Sequence, residues 1–315
     1  MSTPMFNQVA LIGLGLIGSS ISHAARRKEL ARRIVGHART GETREKALEL
    51  GLVAQAFDTP AKAAAGSDLV ILCAPIGVCG EIAVEIRSAL AGGAIVTDVG
   101  SVKAAIVREV GPHIPSGVHF IPGHPIAGTE KSGPEAGFAT LFDNRWCVLT
   151  PPAGTDPAAV EKLKAFWQAL GSNVEIMDAA HHDLVLAITS HLPQLIAYNI
   201  VGTADDLQTV TQSEVIKFSA GGFRDFTRIA ASDPTMWRDV FLNNKEAVLE
   251  MLGRFNEDLS QLQRAIRFGD GDSLHKFFTR TRAIRRGIVA AGQDTSGEEF
   301  YRMRTAPAAP SKDGK

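Results

Sequence analysis

The chain has 315 residues, 45% of them hydrophobic, with 33 Lys and Arg against 34 Asp and Glu and a net charge of −1. That length suits one large domain or two ordinary ones with a real core. The charge balance excludes a protein built mainly to hold nucleic acid, and equally an acidic disordered chain.

The first half alternates short apolar runs with helical patterns. Val9–Ile12, Ile34–Gly36, Leu69–Cys73, Ala94–Thr97, Val118–Ile121, Trp146–Leu149 and Val174–Met177 read as strands. Helices are predicted over 16–30, 43–50, 78–90, 102–110 and 157–170. Continuous apolar strands between helices predict a mostly parallel, doubly wound α/β sheet covered on both faces. After Asp178 no strand pattern remains. Leu184, Val185, Ile188, Leu192, Leu195 and Ile196 recur at helical spacing, and Pro193 should kink that helix. Asp233-Pro234 reads as an N-cap and first-turn proline. Val248, Leu252, Phe255, Leu259, Leu262 and Ile266 form a narrow helical stripe, either an internal core face or the seam of a dimer. Residues 293–315 have little to bury and read as a disordered tail, giving domains over 1–177 and 178–292. Arg280–Arg286 reads as a solvated helix face.

No transmembrane helix or signal peptide is expected. Cys73, Cys79 and Cys147 match no metal spacing, so buried, reduced thiols in a cytoplasmic protein are expected.

Gly13-Leu14-Gly15-Leu16-Ile17-Gly18 follows a predicted strand and opens a helix, with a second strand about 20 residues on, which is the dinucleotide-binding arrangement. Gly13 permits the tight turn, Gly15 a close approach by a pyrophosphate, and Gly18 close helix packing. Leu16 and Ile17 lie where the helix N-terminus meets the phosphates. The acid that would bind a ribose 2′-hydroxyl is missing from Val35–Thr40. Arg39, with Thr40 and Thr43 nearby, suits a 2′-phosphate, so NADP is favoured over NAD; a solvated loop charge is the plainer reading of Arg39.

Three further segments carry chemistry. Ser101, in Asp98–Lys103 after a strand, is a natural N-cap whose hydroxyl can also face the ligand crevice. His124, in Gly123–Gly128 after the next strand, can exchange a proton near neutral pH. Arg224 and Arg228, four apart after Gly221-Gly222, would share a helix face as a carboxylate clamp or as a solvated surface. His191 on an apolar helix is either a satisfied core histidine or a substrate contact.

Together GLGLIGSS, DVGSVK, GHPIAGTEKSG, TSHLPQ and GGFRDFTRIAASDPTMWRD resemble the prephenate/arogenate dehydrogenase family over roughly residues 7–290. The resemblance implies a Rossmann domain followed by an all-α dimerisation domain. It also implies oxidative decarboxylation of a cyclohexadienyl substrate in tyrosine biosynthesis, with a hydride passing to NADP or NAD. By match to the family's motifs, His124 would accept the C4 hydroxyl proton and Ser101 would hold that hydroxyl or His124. Arg228 would bind a substrate carboxylate, with His191, Trp237 and Gly221 around the pocket. Glu130, Asp225 and Arg224 would form a polar network at its entrance. A homodimer is expected, without metal, nucleic acid or membrane. Only 23 residues follow 292, so a monofunctional protein without an added regulatory domain is expected. Two other readings stand beside it: another dehydrogenase or imine reductase of similar build, and a non-catalytic NADP-binding dimer. His181-His182-Asp183, with no Lys between Met177 and Asn199, disfavours enzymes that use a lysine there.

Overall fold

The computed structural model describes residues 3–129, 131–206, 217 and 221–290. One sheet holds β1 (Phe6–Ile12), β2 (Ala31–His37), β3 (Gln55–Phe57), β4 (Leu69–Leu72), β5 (Ile95–Asp98) and β6 (His119–Phe120). All pairs are parallel, in the order β3-β2-β1-β4-β5-β6. The short β3 was not among the predicted strands. Helices α1 (Leu16–Arg27), α2 (Gly41–Glu49), α3 (Pro60–Ala64), α4 (Cys79–Ile86) and α5 (Ala104–Val110) alternate with these strands.

Strand periodicity accounts for the two core layers. Val9, Leu11, Leu69 and Ile71 point into one cluster with Ile21, Phe166 and Trp167. Ala10, Ile12, Val70 and Leu72 point into the other with Val96 and Ile106. Successive side chains leave opposite faces of a strand, so a sheet covered on both sides needs apolar residues at every position. The carboxyl ends of β1, β4 and β5 therefore share one edge, and the strand order reverses between β1 and β4. Ligands of such sheets bind outside that edge.

A second sheet was not anticipated. β7 (Gly123–Pro125) pairs antiparallel with β8 (Trp146–Leu149), which pairs in parallel with β9 (Asn173–Ile176). The segment around His124, read from sequence as a loop, is thus an edge strand, the place in a sheet that tolerates Pro125. Between β8 and β9 runs α6 (Pro157–Ala169), capped by Asp156.

After Ile176 the described residues contain no strand. Asp178 caps α7 (Ala179–Leu186), a π-helical turn spans Ala187–His191, and α8 (Leu192–Asp206) follows. The predicted disturbance at Pro193 takes the form of that wider turn just before it. By length and composition alone the run Ala179–Asp206 is long and apolar enough to cross a membrane. Its polar residues His182, Asp183, His191 and Gln194 are nevertheless buried and held by protein partners. Next come α9 (Gly221–Thr227), a 3-10 turn at Arg228–Ala231, and α10 (Pro234–Asn243), capped by Asp233 as predicted. Then follow α11 (Lys245–Phe268) and α12 (Gly271–Ala290).

The chain divides into two compact units, with the boundary between Met251 and Leu252. The predicted stripe is split by it. Val248 is buried in the first unit, whereas Leu259 and Ile266 are exposed in the second. Phe278, Ile284 and Ile288 on α12 are exposed as well. All three cysteines are free; Cys79 and Cys147 are buried and Cys73 partly so.

Candidate active site

The glycine loop has the geometry that its sequence demands. Gly13 sits at φ 115°, and a Cβ there would lie 2.5 Å from the Cys73 carbonyl oxygen. A Cβ on Gly18 would lie 2.1 Å from the Gly13 carbonyl oxygen. Nothing lies within 4 Å of the corresponding position at Gly15. Two glycines are thus fixed by protein packing, and the middle one leaves open space at the N-terminus of α1. Leu16 and Ile17 form the first turn there, and no side chain caps the helix. This cradle fits a dinucleotide pyrophosphate.

Gly13 N donates to the His37 carbonyl at 2.9 Å, which fastens the loop to the end of β2. Arg39, just beyond β2, is exposed, and its guanidinium bonds no other described residue. Thr40 caps α2 through Thr43 N at 3.2 Å, and the two threonine hydroxyls are 2.7 Å apart. Among the described residues no carboxylate pairs with Arg39.

At the end of β5 a buried ion pair organises the next loop. Asp98 and Lys103, both fully buried, bond through Oδ2 and Nζ. Lys103 Nζ also donates to the Gly123 carbonyl at 2.8 Å, and Gly123 N donates to Asp98 Oδ1 at 3.1 Å. The Asp98–Lys103 turn is thereby tied to the strand carrying His124. The structure corrects the N-cap expected at Ser101. Helix α5 starts at Ala104, and its first amides are capped from another element. Asp183 on α7 accepts from Lys103 N at 2.7 Å and from Ala104 N at 2.8 Å. With that capping role filled by a carboxylate, the Ser101 hydroxyl bonds no other described residue.

His124 is 7% exposed. Its Nδ1 lies 2.9 Å from Nε2 of His182, a fully buried ring. His182 Nδ1 lies 2.8 Å from Asp183 Oδ1. Burial first, then the neighbouring His182, Lys103 and His191, hold the His124 imidazole well below its ordinary pKa of 6.5. It is therefore neutral at pH 7. His191 is likewise lowered, to about 4, chiefly by burial, with Asp183 opposing the shift and His182 adding to it. Asn244 Nδ2 lies 3.0 Å from His191 Nδ1, while His191 Nε2 is buried without a partner. The Trp237 ring packs edge-on to His191 at 6.0 Å, and its Nε1 is also buried without a partner. His191 is therefore only half satisfied, between the two alternatives left open by its sequence.

The arginine pair is corrected too. α9 ends at Thr227, so Arg228 falls on the 3-10 turn and the two arginines share no continuous α-helix. Gln194 Nε2 donates to the Ile229 carbonyl at 2.7 Å, which binds that turn to α8 three residues beyond His191. Arg228 is exposed and bonds no other described residue. Arg224 Nε pairs with its neighbour Asp225 at 3.2 Å, with both side chains 73% exposed. Gly221 opens α9. Glu130 lies outside the described residues.

One network thus joins His124, the 98–104 turn, His191 and Trp237. Sequence alone missed the residues that join them: His182, Asp183, Asn244 and Lys103. The one available signal was a His-His-Asp triplet on an otherwise apolar helix.

The parallel sheet, its glycine cradle and a buried neutral histidine at its carboxyl edge define a two-domain, dinucleotide-dependent dehydrogenase. Residues 21–176 match the family model of the prephenate dehydrogenase nucleotide-binding domain, and residues 178–280 that of the prephenate dehydrogenase dimerization domain. A cyclohexadienyl dehydrogenase of Zymomonas mobilis is 38% identical over 281 residues, covering 89% of this chain and 96% of the relative. A prephenate dehydrogenase of Bacillus subtilis is 33% identical, over 90% of this chain and 76% of the relative. Among solved structures, the prephenate dehydrogenase of Aquifex aeolicus in complex with hydroxyphenyl propionate and NAD+ superposes with a TM-score of 0.84. It is 34% identical and is matched over 91% of this chain and 99% of that one. The Synechocystis arogenate dehydrogenase gives a TM-score of 0.76 at 30% identity, over 89% of this chain and 99% of that one. The chain belongs to the prephenate dehydrogenase family.

Proposed function

We propose that the protein oxidatively decarboxylates prephenate, arogenate or both, forming 4-hydroxyphenylpyruvate or tyrosine in tyrosine biosynthesis. The observation that carries this is the buried, neutral His124 at the carboxyl edge of a dinucleotide-binding sheet. A nicotinamide dinucleotide held at Gly13, Gly15, Leu16, Ile17 and Gly18 supplies the hydride acceptor. His124 takes the proton of the C4 hydroxyl as that carbon becomes carbonyl-like, and the ring carboxylate leaves as CO2. A positioned base of this kind contributes about 10²–10⁴-fold in rate. Ser101, its hydroxyl uncommitted, holds the C4 oxygen or His124. Arg228 binds a substrate carboxylate, with His191 and Trp237, whose Nε2 and Nε1 are buried without partners, around the pocket. Gly221 lies near that pocket, and Arg224, Asp225 and Glu130 form its polar entrance.

Arg39 favours NADP, because a guanidinium with no neighbouring carboxylate suits a 2′-phosphate. The exposed apolar residues of α11 and α12 support a homodimer formed through the helical domain. A cytoplasmic enzyme fits the free cysteines. The test is kcat/KM for prephenate and arogenate, each with NADP and NAD. Turnover with either substrate supports the activity, and a strong NAD preference would overturn the role of Arg39. Absence of turnover in all four combinations would overturn the function.

A further inference from the structure

We propose that His182 and Asp183 set the tautomer of His124, leaving its Nε2 as the basic nitrogen that meets the substrate. The tautomer follows from the hydrogen bonds of neutral rings; its use in proton transfer rests on the dehydrogenase function proposed above.

The chain of bonds runs outward from Asp183. Its Oδ1 accepts from Lys103 N at 2.7 Å and its Oδ2 from Ala104 N at 2.8 Å. These oxygens act as acceptors, so the contact from Oδ1 to His182 Nδ1 at 2.8 Å requires a proton on that nitrogen. With one proton on each ring, His182 Nε2 is a lone pair. It lies 2.9 Å from His124 Nδ1, which must then carry the His124 proton and donate it. His124 Nε2 is left as a lone pair, bonded by no other described residue. A histidine's tautomer is fixed by the bond its other nitrogen makes. Here that bond is made by a second histidine, itself fixed by a carboxylate.

Burial makes the setting rigid. His182 is fully buried and Asp183 is 4% exposed, so bulk water cannot substitute for either partner. Asn244 adds a second clamp. The Asp183 backbone carbonyl can only accept, so the 2.9 Å contact to it comes from the Asn244 amide nitrogen. The same nitrogen lies 3.0 Å from His191 Nδ1. His191 therefore accepts at Nδ1 and carries its proton on Nε2, the opposite tautomer to His124. One network thus sets an acceptor at position 124 and a donor at position 191.

During reaction the substrate O–H bond breaks, its electron pair stays on oxygen, and an Nε2–H bond forms on His124. The ring becomes imidazolium and keeps its Nδ1–H bond to His182, with the Asp183 carboxylate next in line. The proton is available to return to the phenolate oxygen of the aromatic product. His182 and Asp183 touch no reacting atom and are positioning residues.

The test is nitrogen NMR of the full-length wild-type protein labelled at histidine, near pH 7.5 without ligands, with signals assigned by loss in single histidine variants. The expected result is a proton on Nδ1 of His124 and His182 and on Nε2 of His191. A proton on Nε2 of His124 would overturn the proposal, and no variant need be active for this reading. In the kinetic arm, His182→Leu should lower kcat by about 10²-fold or more with KM nearly unchanged. His182→Gln, whose amide oxygen can accept from Nδ1–H, should recover part of that loss. Wild-type kcat in folded His182→Leu would also overturn it. Wild-type protein inactive on both cyclohexadienyl substrates would refute the enzymatic function and leave the tautomer result standing.

Discussion

His124 and the three arginines Arg39, Arg224 and Arg228, the residues proposed to meet ionisable ligand groups, stand in opposite surroundings. His124 is 7% exposed, and a fully buried histidine holds one of its nitrogens. All three arginines are exposed, and only Arg224 pairs with a described neighbour. Proton transfer requires one lone pair in one place, so that corner is organised before any ligand arrives. Anion binding requires only charge within reach, and a solvated guanidinium can bond on contact. A chain of net charge −1 can therefore take strongly anionic ligands through a few local cations and a helix N-terminus.

That contrast can be broken by mutation, and the buried side should yield the largest loss of stability. Lys103→Met leaves Asp98 buried and unpaired, and should cost about 3–5 kcal/mol, read from urea unfolding. Arg224→Ala, which removes an exposed pair, should leave the same midpoint unchanged within error. Equal effects from the two variants would erase the distinction. Next in size, Arg228→Gln should raise KM for the cyclohexadienyl substrate about 10–100-fold with kcat within a few-fold, as removal of a charge-assisted bond implies. A fall in kcat at constant KM would instead place Arg228 with the organised residues.

The smallest effect is a pH dependence. The folded pKa of His191, about 4, lies below the ordinary 6.5 because burial disfavours the charged ring. The unfolded chain therefore binds this proton first, and the stabilising contribution is complete above about 6.5 and lost as pH falls toward 4. His124 shifts in the same direction. The stability advantage of wild type over His191→Gln should accordingly narrow between pH 7 and pH 5. A gap that widens on acidification would contradict the assignment.

Much of the nucleotide half was legible in the sequence because its signals are local. Gly13 and Gly18 each have a short-range steric reason and Gly15 leaves the open space between them, while in the helical half Asp233-Pro234 is a cap confined to one turn. The features hidden in the sequence depend on distant pairings. His124 and His182 are 58 residues apart, and no periodicity announces that their rings meet. Residue preference makes Ser101 an N-cap, but Asp183 reaches the same helix end from another element. The four-residue spacing of Arg224 and Arg228 gives one shared face only while a helix continues, and α9 stops at Thr227. A three-residue strand containing Pro125 carries too little alternation to be seen as β structure.

Under the proposed function a pre-set, neutral His124 is the general base. Steady-state kinetics of His124→Asn against wild type, with the preferred substrate and cofactor, tests it most directly. The expected result is a fall in kcat of about 10²–10⁴-fold with KM within a few-fold. Near-normal kcat in the folded variant would contradict it.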